Sequence, residues 1–176
     1  VSVGPSAGTG VTNTATISGG NEPTANNGNN TASDPTNVVL TAFSGCDSRM
    51  FLSQGPNSTT NTSLYNVNTT TNPFTFPVIR QGSYPYNAIA FNPTDNYIYG
   101  ILNNNATGNS LLRIGSDGNT VNLGVVSGLP LGDYVAADIN SSGTFYVMGK
   151  TNPSILYVIN IATLTATSIS LSTSVD

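Results

Sequence analysis

Most of this chain repeats itself, and that repeat limits what it can fold into more than any other feature. Phe43, Phe91 and Ile139 stand 48 residues apart, and Phe51, Tyr99 and Tyr146 follow at intervals of 48 and 47. Leu64, Leu111 and Leu156 keep the same rhythm at 47 and 45. Short apolar runs surround these anchors in a fixed order. The first covers 38–43, 87–91 and 135–139, the second 50–52, 98–100 and 145–147, and the third 63–67, 110–114 and 155–159. A weaker fourth run covers 74–79, 120–126 and 166–171. Turn-forming clusters separate the runs, among them Asn92-Pro93-Thr94-Asp95-Asn96, Asp117-Gly118-Asn119 and Ser141-Ser142-Gly143. Asp117-Gly118 is a hairpin signal, because glycine accepts the positive φ that such a turn requires.

Four short antiparallel strands in a unit of about 47 residues describe a β-propeller blade better than any other repeat architecture. No window carries a helical period free of Gly, Pro or Asn clusters. The expectation is an all-β chain with three blades, over 36–83, 84–133 and 134–176. Propellers ordinarily close with four to eight blades, and an open stack leaves apolar faces and strand edges in water. The expected partner is therefore further polypeptide of the same chain or a homo-oligomer, forming a filament where a head-to-tail contact does not close.

Residues 1–35 differ in texture. Val11-Thr12-Asn13-Thr14-Ala15-Thr16-Ile17 reads as one strand and Asn30-Thr31-Ala32-Ser33 as the start of another, joined by an Asn/Gly-rich loop. Two strands do not make an independently stable unit, so these read as terminal strands of an incomplete sandwich and a linker. Val1, standing where an initiator Met would be, is expected of a processed chain or of one excised from a longer polypeptide.

Charge and composition remove several functions. Four basic residues, Arg49, Arg80, Arg113 and Lys150, face eight acidic ones, for a net charge of −4. Such a chain cannot neutralise a phosphate backbone or bind an anionic membrane by charge, and no apolar run approaches the roughly 18 residues of a membrane-crossing helix. Without a His, the Ser-His-Asp and Cys-His arrangements are excluded in their standard forms. A zinc site would rest on one Cys and scattered carboxylates, so neither a cofactor nor a metal is expected. Cys46 has no disulfide partner within the chain; it reads as a small buried side chain, reduced and poorly reactive, with half of a bridge to another chain as the alternative. Eight Tyr, six Phe and abundant Val, Ile and Thr argue against disorder. The Thr-rich, Lys-poor polarity suits a β surface of the kind common in extracellular bacterial proteins. Six Asn-x-Ser/Thr sequons begin at Asn29, Asn57, Asn61, Asn68, Asn105 and Asn140, about the number chance gives at this composition.

Four residues are candidate ligand contacts: Tyr84, Tyr86, Tyr134 and Asp138. Tyr84-Pro85-Tyr86 and Tyr134 open the second and third repeats, where aromatic rings can stack on sugar faces; more commonly such rings cap the core of the adjacent blade. Asp138 falls where the other repeats carry Ala42 and Ala90. A carboxylate there either faces a ligand or cation or, more commonly, accepts backbone N–H bonds from a loop. Asp133 is a second carboxylate for a calcium site, without a supporting loop pattern. The turn Gly115-Ser116-Asp117-Gly118-Asn119-Thr120 has the wrong spacing for the Ser-x-Asp-x-Gly-x-Thr-aromatic hallmark of sialidase propellers.

Val11 through Gly20, followed by Asn29-Asn30-Thr31-Ala32-Ser33-Asp34, resembles the closing strands of a bacterial surface-protein repeat, an immunoglobulin-like sandwich of unassigned function strung in tandem along long secreted chains. Residues 46–149 resemble a propeller-like domain, also of unassigned function, found in the same kind of protein. Tyr86 through Pro93, Asp95 through Ile101, and Leu123-Gly124 through Gly128-Leu129-Pro130 carry that likeness. The resemblance implies an extracellular or bacterial cell-surface setting and brings no catalytic residues. The functional expectation is a non-enzymatic structural or adhesion module, with a carbohydrate-binding, lectin-like propeller as the alternative.

Overall fold

The computed structural model describes residues 10–17, 23, 28, 30–37, 40–45, 49–57, 59–103 and 108–172. The strands are β1 (Gly10–Thr16), β2 (Thr31–Asn37), β3 (Met50–Gln54), β4 (Ser63–Val67), β5 (Val78–Gln81), β6 (Tyr86–Asn92) and β7 (Tyr97–Leu102). They continue with β8 (Ser110–Ile114), β9 (Thr120–Val125), β10 (Tyr134–Ile139), β11 (Phe145–Gly149), β12 (Ile155–Asn160) and β13 (Thr165–Ser170). The chain is all-β, and no α-helix occurs among the described residues. Its strands form four antiparallel sheets: the pair β1-β2, a first repeat sheet β3-β4-β5, a second β6-β7-β8-β9 and a third β10-β11-β12-β13. In each, strand order follows chain order.

The β1-β2 pair runs in register from Gly10 opposite Asn37 to Thr16 opposite Thr31. The side chains of 12–16 and 31–35 are exposed, which suits their Thr, Ser, Asn and Asp content. Pro35 is accommodated because an edge strand has no second neighbour awaiting its N–H.

The repeat sheets are held by their faces. Along β7, Ile98 and Tyr99 to Leu102 are all buried, because the second sheet is covered on both sides. One face of it joins Phe43 and Leu64 in a core with Ile98, Leu102, Leu112 and Ile114. Its other face, with Tyr99, Ile101 and Leu111, packs against Phe145, Val147, Tyr157 and Ile159 of the third sheet. Edge-to-face rings mark both cores: Phe43 with Phe51 at 5.1 Å, and Tyr134 with Tyr157 at 5.7 Å. By contrast β13, rich in Thr and Ser, is almost wholly exposed.

The first repeat departs from expectation. Its sheet has three strands among the described residues, and the run expected as a fourth, innermost strand is not one. Val38, Val39 and Cys46 lie outside the described residues. Leu40 and Phe43 are buried, but their stretch is tied to turns of the second sheet. The Phe43 N–H donates to Asn96 O, the Ser116 N–H to Thr41 O and the Tyr97 hydroxyl to Leu40 O, at 2.8, 2.8 and 2.9 Å. Those bonds satisfy the backbone without a strand partner, so burial and pairing part company here. The fourth strand also starts late: β5 begins at Val78, and Phe74 and Phe76 are exposed.

A repeated device fastens the chain as it leaves each repeat sheet. Just before the next-to-last strand of the sheet, a carbonyl accepts the N–H of the residue that follows the last strand: Thr62 O from Gly82, Asn109 O from Val126 and Ser154 O from Leu171. In two of the three positions the side chain joins in. The Thr62 hydroxyl donates to Tyr86 O, and Asn109 Nδ2 donates to Gly132 O at 2.7 Å. The linker after β9 also forms a parallel bridge to β13, with the Ser127 N–H bonding Leu164 O and the Ala166 N–H bonding Ser127 O, both at 2.8 Å.

Candidate functional site

A cleft of about 180 Å³ opens where the three repeat sheets converge. Strand β3 brings Ser53 to it, β6 brings Asn87 and β10 brings Val135; Asp133 comes from the linker before β10 and Lys150 from the turn after β11. Asn87 is oriented by Ser53, whose hydroxyl donates to its Oδ1 at 3.1 Å, leaving the amide N–H donors of Asn87 uncommitted to that contact. Asn103, at the end of β7, accepts the Tyr134 N–H. Asp133 holds Lys150 through the backbone, the Lys150 N–H donating to Asp133 O at 2.8 Å. Asp133 Oδ1 is buried and has no donor among the described residues. Asp133, Lys150, Asn87 and Asn103 thus contribute a carboxylate-bearing, an ammonium-bearing and two amide-bearing residues to one small polar lining. The cleft is smaller than the roughly 300–1,000 Å³ usual for ligand pockets.

The four predicted contacts are not brought together. Tyr86 and Tyr134 are each 3% exposed and lie in the two cores, with no ring face in solvent. The Tyr134 hydroxyl donates to Pro130 O, and burial holds both phenols well above the usual tyrosine range. Tyr84 is half-buried against the first core. Asp138 is exposed on the face of the third sheet turned away from the second, across from Tyr146, and its Oδ1 accepts the Ile139 N–H at 2.9 Å. Of the sequence candidates, Asp133 and the largely buried Tyr86 line the cleft, while Tyr84, Tyr134 and Asp138 do not. Ser53, Asn87 and Lys150 were missed because each belongs to a different repeat, and only packing makes them neighbours.

Elsewhere, charged groups hold local structure. Asp95 accepts the Tyr99 hydroxyl at 2.7 Å; burial first, and this carboxylate second, push the Tyr99 phenol up. Arg113 lies 4.8 Å above the Tyr97 ring, and Arg80 Nε donates to Asp117 O at 3.0 Å. Among the described residues no three metal-ligating side chains of the His, Cys, Asp and Glu types converge.

Three sequons have a conformational role. At Asn57, Asn68 and Asn140, Oδ1 accepts both the N–H and the hydroxyl of the Ser or Thr two residues on, with hydroxyl distances of 2.7–2.8 Å. Asn92-Pro93-Thr94, which is not a sequon, makes the same turn.

Residues 51–176 match a family model described as a repeat of unknown function, DUF6923. No curated protein and no solved structure matches the chain. The match runs from β3 through β13, well over half the chain, and the protein thus belongs to this DUF6923 family of repeats.

Proposed function

We propose that this protein is a non-enzymatic structural or adhesion module of the bacterial cell exterior, its repeat sheets being consecutive blades of a propeller-like array that packs against further polypeptide. The observation that carries the reading is the apolar surface of the first sheet: Met50, Leu52 and Val78 are 56%, 38% and 57% exposed, with exposed Phe74 and Phe76 leading into β5. Contiguous apolar surface of this kind marks interaction sites. The use of the polar residues supports the same reading, since Thr62, Asn92, Asn109 and Asn140 hold linkers and turns. Sedimentation of the purified chain over a range of concentrations tests it. Mass growing with concentration is expected; a well-folded monomer throughout overturns the proposal.

The cleft favours a second reading, a small glycan-binding site. Its carriers are Asp133, Asn87 and Lys150 in place of the buried tyrosines. Binding on a glycan array that disappears in Asp133→Ala supports it, and an array without signal removes it.

A further inference from the structure

The buried interface between the second and third sheets has an open counterpart at each end of the repeat stack. Within it, Tyr99, Ile101 and Leu111 of the second sheet meet Phe145, Val147 and Tyr157 of the third. The repeat correspondence carries Tyr99, Ile101 and Leu111 onto Tyr146, Met148 and Leu156. These lie on the opposite face of the third sheet, where Met148 stands across from Leu156, and Leu156 across from the 47%-exposed Ile169. Neither core includes this face among the described residues.

At the other end, the same correspondence carries Phe145, Val147 and Tyr157 onto Met50, Leu52 and Tyr65. Cross-strand register puts these on one face of the first sheet: Met50 opposite Val67, Leu52 opposite Tyr65, and Tyr65 opposite Val78. That face is turned away from the second sheet, because the alternate residues Phe51 and Leu64 are the ones in the core beneath it. Among the described residues, both halves of a contact the protein already makes internally thus lie outside its cores.

We infer that the outer face of the third sheet receives the outer face of the first sheet of a second copy of this chain, as the second sheet now sits on the third. The inference rests on the assembly reading above and names its surfaces and its occupant. What selects a second copy over an unrelated partner is the match in pattern, down to a tyrosine at the position of Tyr157. The contact joins two different surfaces, so it closes into a ring or runs on as a filament according to the turn between neighbouring sheets.

Sedimentation of the full chain with Leu52→Glu and Ile169→Glu tests it. Each variant alone has one usable face and no partner for it, so each is expected to be monomeric where the unmodified chain assembles. Mixed in equal amounts, the two are expected to form a dimer that grows no further, the third sheet of the Leu52→Glu chain on the first sheet of the Ile169→Glu chain. Circular dichroism checks the folding of each variant, and Val78→Glu and Met148→Glu replace any that unfolds. Variants that assemble like the unmodified chain, or a mixture that stays monomeric, overturn the inference and leave assembly to other surfaces. An unmodified chain that never assembles overturns both this inference and the reading it rests on.

Discussion

The Thr62 hydroxyl holds both backbone groups of Tyr86, donating to its carbonyl at 2.8 Å and accepting its N–H at 2.9 Å. One side chain thus ties the start of the second sheet to the first. Thr62→Val keeps the shape but leaves two buried polar groups without their partner, a loss of about 1–3 kcal/mol. Thr62→Ser, which retains the hydroxyl, is expected to recover most of it. Urea denaturation of the three chains gives the comparison.

Gly128 is required by its backbone. It has φ of +82°, and a Cβ there would fall 2.6 Å from the carbonyl oxygen of Ala166, inside the bridge to β13. Gly128→Ala is expected to destabilise by about 1–3 kcal/mol from the positive φ alone, with the clash added. At Gly132, four residues on, an added Cβ would meet nothing within 4 Å, and Gly132→Ala should stay within about 0.5 kcal/mol. Equal melting shifts for the two would disprove the assignment.

Asn140 Oδ1 takes two N–H bonds and a hydroxyl, from Ser142 and Thr144, and so shapes the turn between β10 and β11. Asn140→Ala should cost about 1 kcal/mol. Asn57 makes a similar network on an exposed loop, so Asn57→Ala is expected to cost less, within about 0.5 kcal/mol. Thermal unfolding of both variants measures the difference.

Tyr86, Tyr99 and Tyr134 all have phenol pKa values raised above 10.0, first by burial. A folded-state pKa above the unfolded one means that the unfolded chain releases its proton first as pH climbs. The stabilisation is fully present below pH about 10 and is lost as pH rises beyond it. Ultraviolet titration should show these phenols ionising late and together with unfolding. Their ionisation ahead of unfolding would contradict the burial.

How far the sequence could be read depended on what each residue answers to. Runs at 87–91, 98–100 and 110–114 became β6, β7 and β8 almost as expected, because their apolar residues are buried by a ladder and a neighbouring sheet together. Residues 40–43 carry the same pattern, yet their burial comes from contact with turns of the second sheet. Periodicity reports burial and is silent about which backbone supplies the hydrogen bonds. Tyr86 and Tyr134 held a clue to their role: they stand 48 residues apart, and a side chain that recurs with the repeat usually serves the repeat. The polar cleft residues change type from repeat to repeat, Gly55, Asn103 and Lys150 standing 48 and 47 apart and Asn87 and Val135 48 apart, so it is their positions and not their side chains that recur.

The Ser127 bridge to β13 has a consequence for load. The linker entering the third sheet is pinned by that sheet's final strand, through bonds from Ser127 N–H to Leu164 O and from Ala166 N–H to Ser127 O. A pull along the chain from the N-terminal side meets this stitch before it reaches β10. The stitch is parallel, so tension shears its two bonds together where a hairpin would be unzipped one bond at a time. Force entering along that linker is thus expected to load the edge of β13 before the pairing of β10 with β11.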